Sequence, residues 1–348
     1  MDGDLEAEDC KTEGHSVREI ALEILGTGEY VPSRRVDSTE IDRRLGKPIG
    51  WTEDQTGVAS RAFVAPGEGA VVMGAAAARE ALNEAQTPAR SLDAIIAVGS
   101  VPAQAIPCTA AFIHREIGLG DSGVAAFDVN ATCLGFLVAL DMVAQCFATG
   151  RYKRVLLVAS EIASAGLNWD DPVTAGLFGD GAGAVVLGPP RRSGAAIRGT
   201  RLQTFSDGVL HCQVRAFGSR ISLREEPEDF LRGSHFEMNG RETYRLAASV
   251  LPRFLDGLMA DACISSEDVN VWVAHQASGQ ALKHLQRHLR LPEDRFAMIL
   301  ADHGNQIAAS LPIALHHARR SGMVKAGDTL ALIGTGAGLS VGGAILRY

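Results

Sequence analysis

The chain has 348 residues, 46% apolar and 21% charged, enough for a large buried core, and this excludes disordered, collagen-like and disulfide-scaffold classes. A formal charge of −8 leaves no global basic field for a polyphosphate backbone and argues against nucleic acid as the main partner. Thirty-eight glycines, about 11% against a usual 7% or so, point to many tight strand-to-helix turns and an α/β enzyme.

In chain order, MDGDLEAEDCKTEGHSV is acidic where a secretory leader would be basic and then apolar, and reads as a flexible tail over 1–17. A cytoplasmic protein is expected. The apolar spacing predicts a helix over 72–83, and AIIAVG predicts a strand over 94–99. The uncharged stretch 94–113 nears membrane-span length but holds Pro102 and Pro107; it is not read as transmembrane. FDVNATCLGFLVALDMVAQCFATG reads as a strand end followed by a helix apolar nearly all round. Further strands are expected over 154–159 and 182–188. A helix is expected over 246–259, with Pro252 in a first turn or at a kink. The last strands are expected over 270–274, 329–333 and 341–346. The stretch 329–346 holds five glycines and is likewise not a membrane span. Alternating strands and helices imply a partly parallel, layered sheet.

The chain echoes itself. FGDGAGAVVLG at 178–188 is similar to GTGAGLSVGGAIL at 334–346, and helix, Ser-Asp turn and strand follow one another at both 75–99 and 247–274. Two similar halves are expected, 18–190 and 191–348, with GPPRRSGAA at 188–196 as the linker.

Cysteines 10, 108, 133, 146, 212 and 263 form no CxxC pair and no Cys/His spacing typical of zinc, so reduced thiols and no metal are expected. Cys133 lies where the strand gives way to the helix. The helix's first turn would lower its thiol pKa and favour thiolate, although a Cys in an apolar helix is more often an inert small hydrophobe. His275, in VWVAHQASGQAL, follows an apolar strand at the end where α/β proteins place ligands. Asn305 lies in ADHGNQIAASLPIAL, ahead of another apolar helix. Each alone is an ordinary surface or capping residue. Together a Cys nucleophile and two neutral donors aimed at one oxygen suit thioester chemistry.

DVNATCLGF, FGDGAGA, FEMNGRETY, HQAS, HGNQIAAS and GTGAGLSVGGAILRY, in that order and spacing, resemble β-ketoacyl-acyl carrier protein synthase III over about residues 18–348. A Cys-His protease fits less well, because nothing marks a base paired with the thiol. The resemblance implies a thiolase-like five-layered αβαβα fold of two duplicated halves, and a homodimer. It implies acylation of Cys133 by an acyl thioester, then decarboxylative condensation with malonyl on acyl carrier protein. His275 and Asn305 would stabilise the enolate, and the N–H groups of Cys133 and Ala337 would form the oxyanion hole. Ile106 would enter the partner subunit's acyl pocket. Trp51, Phe178, Ser278 and Thr335 complete the expected substrate-binding set. No cofactor is implied; acyl-coenzyme A and acyl carrier protein are substrates.

Asn305, where elongating relatives carry a second His, points to the initiating type. An aliphatic Ile106 cannot serve as the base that long-chain head-to-head condensing enzymes carry there. The chain departs from the family at the coenzyme A site: Gln55, Pro172 and Gln280 stand where arginines are usual, Ser278 replaces an Asn, and Thr335 replaces a bulky aromatic. Each lost guanidinium removes about 1 kcal/mol or more of phosphate or stacking contact. A divergent synthase whose acyl donor comes on a carrier protein is therefore expected, with Arg245, Lys283, Arg287 and Arg290, the last three on one helical face by spacing, as an acidic partner's docking patch or simply a solvated face. The alternatives are transfer of the Cys133 acyl group to an alcohol or amine, and a silent partner subunit.

Overall fold

The computed structural model describes residues 19–348; the acidic segment 1–17 lies outside them. Two sheets share one five-strand order. The first holds β1 (Glu23–Tyr30), β2 (Ala94–Val98), β3 (Ala125–Val129), β4 (Val155–Glu161) and β5 (Gly181–Gly188), arranged β1-β5-β4-β2-β3. The second holds β6 (Ala196–Thr204), β7 (Val271–Ala274), β8 (Phe296–Ala297), β9 (Thr329–Gly336) and β10 (Ser340–Arg347), arranged β6-β10-β9-β7-β8. In each, two antiparallel pairings are followed by two parallel ones. The short strand Ile20–Ala21 pairs with β6 and extends the second sheet. The two Gly-rich echoes feed β5 and β10, which hold the same place in their sheets.

The helices that position the site are α1 (Ala70–Glu84), α2 (Thr109–Glu116), α3 (Gly135–Ala148), α4 (Gly240–Asp261), α5 (Gly279–His288) and α6 (Ser310–Arg320). Strand residues alternate between two cores, as the period of two demands. Ile96 and Val98 of β2 join Val271 and Val273 of β7 around α3 and α6 in the central core. Ile95 and Ala97 face α1 and α2, while Trp272 and Ala274 face α4 and α5. The result is five layers, helices outside, between and outside again, with both sheets buried on both faces. Near-continuous apolar strands follow from that double burial: every residue of β4 and β5 is buried.

The expected strands and helices are present, with corrections. Pro252 lies in the interior of the 22-residue α4, so its first-turn placement is wrong; packing of Phe254, Leu255 and Leu258 holds the helix across the missing N–H. β1 and β6 fall in stretches that polar and glycine residues disguise. Cys108, Cys133, Cys146 and Cys212 are free thiols, whereas Cys263 is disulfide-bonded, which departs from the expectation of reduced thiols throughout. Among the described residues no helix is long and apolar enough to cross a membrane.

Candidate active site

Three turns at the ends of apolar elements build the site. Between β3 and α3 the chain reverses through Thr132, whose φ of +51° is unusual for a branched residue and is held by surrounding packing. Cys133 follows it, just ahead of the α3 N-terminus. The backbone N–H groups of Cys133 itself and of Ala337 both reach the cysteine sulfur. Burial nevertheless pushes the thiol up to about 12, and the charges of Glu161 and Cys212 add to the rise, which the two N–H groups only partly oppose. The expected lowering by the helix N-terminus is therefore corrected: desolvation outweighs the dipole, and the resting nucleophile is the neutral thiol.

His275 directly follows β7, its N–H donating to Ile333 O at 2.8 Å. The side chain is 5% exposed, and burial pushes its pKa down to about 4, so the ring is neutral near pH 7. Its Nδ1 lies 2.5 Å from Ser310 Oγ. Ser310 Oγ also accepts the Gln276 N–H at 3.3 Å and keeps its own proton to donate. With that proton given to Nδ1, the neutral ring carries its N–H on Nε2, the arrangement a neutral donor at Nε2 requires.

Asn305 sits between Gly304, with φ +68°, and the turn at Ile307, with φ +51°. Its backbone bridges Leu177 and Gly179 across the halves: its N–H donates to Leu177 O at 3.0 Å, and its carbonyl accepts from Gly179 at 3.1 Å. Asn305 Oδ1 accepts the Ile307 N–H at 2.8 Å, and Nδ2 donates one hydrogen to Ala277 O at 3.2 Å. That fixes the amide and leaves its second N–H free.

The Gly-rich strand β9 brings these turns together because it carries no side chains where they meet. A Cβ on Gly334 would lie 3.1 Å from His275 Cβ and 3.0 Å from Leu134 Cδ2; one on Gly336 would lie 2.8 Å from Thr132 Oγ1. The strand thus passes between the Cys133 turn and His275 with both in contact. A cavity beside His275, between α4 and α5, is lined by Tyr244, Leu251, Leu282, Ile333 and Thr335 and is mainly apolar, with Thr335 where a bulky aromatic was expected.

The other expected residues are placed as follows. Phe178 is buried, pairs with Asn305 in a short parallel bridge and meets Phe236 edge-on at 5.1 Å. Ser278 caps α5, accepting the Ala281 N–H at 3.3 Å. Ile106 is 83% exposed in the single chain. Trp51 begins a short helix, Trp51–Thr56, with the Lys47 ammonium 5.1 Å from its ring centroid. Arg44 lies 3.3 Å over the Trp169 ring, so cation and aromatic pairs exist here despite Gln55, Pro172 and Gln280. Lys283 and Arg287 are exposed on α5, but Arg290 lies beyond the helix end with φ +53°, so the expected shared helical face of these three is corrected. Arg245 is 3.6 Å from Glu242.

Two residues escaped the sequence reading. Ser310 was legible only as the last letter of HGNQIAAS, and its contact with His275 spans 35 positions. Glu161 ends β4 fully buried. Burial pushes its carboxyl up to about 7, against backbone N–H bonds from Ser100, Val101 and Ala308.

A half-buried cysteine at a strand-to-helix turn, with a neutral His and an amide across a Gly-rich strand of a duplicated five-layer fold, defines a thiolase-fold condensing enzyme. Residues 127–206 match the 3-oxoacyl-[acyl-carrier-protein (ACP)] synthase III family, and residues 259–348 match the C-terminal part of that family. The beta-ketoacyl-[acyl-carrier-protein] synthase III of Neisseria gonorrhoeae is 32% identical over 330 residues, 93% of this chain and 98% of that protein. That of Laribacter hongkongensis is 34% identical over 326 residues, with the same coverage. Among solved structures, the 3-oxoacyl-[acyl-carrier-protein] synthase III of Aquifex aeolicus superposes with a TM-score of 0.85 at 30% identity, covering 94% of this chain and all of that one. The priming beta-ketosynthase of the R1128 polyketide pathway gives 0.84 at 31%, covering 96% and 98%. The chain belongs to the β-ketoacyl-[acyl-carrier-protein] synthase III family.

Proposed function

We propose that the chain loads an acyl group on Cys133 from an acyl thioester and condenses it with malonyl on acyl carrier protein. In the first half-reaction the Cys133 sulfur attacks the thioester carbonyl and the donor leaves as a free thiol, taking over the cysteine's proton. Because the resting thiol is neutral, negative charge develops only during attack, where the N–H groups of Cys133 and Ala337 meet it. In the second half-reaction malonyl thioester loses carbon dioxide, and the electron pair of the broken C–C bond becomes an enolate. Its oxygen is met by His275 Nε2–H and the free N–H of Asn305. The enolate carbon attacks the Cys133 thioester, and collapse of the oxyanion releases 3-oxoacyl-carrier protein and expels the cysteine thiolate, which takes a proton from solvent to restore the resting thiol. Removal of one oxyanion donor typically costs about 10²–10³ in rate.

The observation that carries this reading is the buried, neutral ring of His275, held at Nδ1 by Ser310. A ring that holds its proton on Nε2 at neutral pH donates to an enolate and does not compete as an ion with the substrate. The acyl donor on this reading is a carrier-bound acyl group, supported by the missing arginines at Gln55, Pro172 and Gln280 and by exposed Arg245, Lys283 and Arg287 as contacts for an acidic carrier. The active species is a homodimer, supported by β3: it is an edge strand, half-buried in the single chain and without charged protection beyond Asp128, an open template for a second copy. Ile106 then enters the partner subunit's acyl pocket.

Intact-protein mass spectrometry tests the reaction. Wild type and Cys133→Ala are incubated with acyl-coenzyme A and acyl-carrier thioesters, then with malonyl-carrier protein. A Cys133-dependent adduct that disappears as 3-oxoacyl product forms is the expected result. An adduct discharged only by an alcohol or amine, or no adduct with any donor, overturns it.

A further inference from the structure

β1, the segment just ahead of Asn305, and α6 meet at a side-chain cluster that the condensation does not use. Glu29 of β1 stands between two imidazoles: its Oε2 is 2.8 Å from His317 Nε2, and its Oε1 is 3.2 Å from His303 Nε2. One donor atom from each residue lies within 4.8 Å of the others. Glu29 Oε1 is buried and accepts no hydrogen bond, despite its nearness to His303. His303 Nδ1 lies 3.2 Å from Ile299 O. A carbonyl cannot donate, so that nitrogen carries the N–H, and Nε2 of the neutral ring presents a lone pair beside the orphaned carboxylate oxygen. Two lone pairs facing one another in a largely buried place repel unless a cation, a proton or a metal ion, lies between them.

We propose that Glu29, His303 and His317 form a binding site for a divalent cation of the zinc class, with water completing the coordination. Two imidazoles and a carboxylate are a donor set that Zn²⁺ takes up readily. The Ile299 carbonyl behind His303 is the outer partner that orients a ligating histidine and fixes its tautomer. Arg319, on the same helix as His317, is committed to Glu84 at 2.9 Å, so the Glu29 charge is left to the imidazoles. Burial would raise the Glu29 carboxyl, but the two imidazoles beside it outweigh that and hold it down, at about 2, so the group is an anion open to a cation. Donors around a tetrahedral Zn²⁺ at 2.0–2.1 Å stand roughly 3.4 Å apart. His317, 39% exposed, has the freedom to close that gap and offers the entry path. The expectation of no metal rested on local Cys/His spacing, which cannot register ligands drawn from the two ends of the chain. The bound ion would tie β1 of the first sheet to the segment two residues before Asn305 and to α6, a positioning clamp independent of the proposed reaction.

The test uses the full chain, stripped with chelator and dialysed. Co²⁺ is titrated with visible absorption, Zn²⁺ retained after desalting is counted by mass spectrometry, and melting temperature is followed throughout. The expected result is one ion per chain, ligand-field bands with Co²⁺, and a Zn²⁺-dependent rise in melting temperature. Binding should weaken at least tenfold in His317→Gln and in Glu29→Gln and stay unchanged in Cys133→Ala, which separates the site from thiol binding. His317→Gln alters a part-exposed side chain and should keep the fold if Glu29→Gln does not. Retention of no ion by folded wild type, or equal binding by folded His317→Gln, overturns the proposal.

Discussion

Replacing Ser310 by Ala separates the two half-reactions. Ser310 Oγ lies 2.5 Å from His275 Nδ1 and accepts the Gln276 N–H; His275 is 5% exposed, so no bulk water takes over the contact. Leaving a buried polar group without its partner costs about 1–3 kcal/mol. In Ser310→Ala the imidazole can recover part of that cost by moving its proton to Nδ1 or by turning, and either change removes the Nε2–H donor from the enolate oxygen. At 1.36 kcal/mol per decade, decarboxylation and condensation should fall roughly 5- to 150-fold. On the proposed mechanism, loading of Cys133 uses the N–H groups of Cys133 and Ala337 and should change less than twofold. Carbon dioxide release from malonyl-carrier protein measures the first quantity, and the rate of adduct formation by intact mass measures the second. Ser310→Thr, which keeps the hydroxyl, should recover most of the loss. Equal decarboxylation by wild type and Ser310→Ala, or equal loss in both half-reactions, would refute the argument that Ser310 sets the His275 tautomer.

Acid stability reports on His275 itself. Its pKa of about 4 in the folded chain lies below the usual 6.5, so the unfolded chain binds the proton first; stability is full above pH 6.5 and is lost as pH falls to about 4, by about 3 kcal/mol. His275→Asn should melt with a flatter pH profile across that window, and an unchanged slope would sink the assignment. The neutral Cys133 thiol predicts an alkylation rate with iodoacetamide that climbs about tenfold per pH unit from 7 to 9; a plateau below pH 9 would show a stabilised thiolate instead. Gly334→Ala places a Cβ 3.0–3.1 Å from Leu134 and His275 and should cost about 1–3 kcal/mol in chemical denaturation, with condensation falling too. Ile106→Asp changes a side chain 83% exposed in the single chain, so the chain's own fold, read by circular dichroism, should be kept while acyl loading falls at least tenfold; unchanged loading would place Ile106 outside the partner subunit's pocket.

What the sequence made legible followed from burial. β4, β5, β9 and β10 are covered on both faces and read as unbroken apolar runs, and the echo between 178–188 and 334–346 is the repeated β5 and β10 of two equivalent sheets. β1 and β6 were not legible because polar residues and glycines break their patterns: Glu23, Thr27 and Glu29 in one, Arg198, Thr200 and Arg201 in the other. Cys133, His275 and Asn305 were visible because each stands at the mouth of an apolar element, where a polar residue interrupts a pattern. The thiol's state was not visible. The helix N-terminus is a local feature of the sequence, while the desolvation that defeats it comes from chain segments far away, as does the added charge of Glu161 at the end of β4.

The same division explains the residues that were missed. Ser310 acts only through His275, and the partnership exists because β7 and α6 are packed side by side in the central core; nothing within a few positions of Ser310 announces it. Glu29, His303 and His317 are held together in the same way, by β1 and α6 lying on one another across the two halves. A pattern along the chain records what a residue does for its own helix or strand. A pair such as Ser310 and His275 is recorded only in which elements the layers bring into contact, and here duplication fixes that choice, because each half places its Gly-rich strand in the same position. One such approach is at Gly334 and Gly336, where the absent side chains let the second half's Gly-rich strand lie against Leu134 and Thr132, the residues on either side of the first half's Cys133. The reactive geometry is thus a consequence of the seam between halves, and it is at that seam that substitutions as small as one methyl group should be felt.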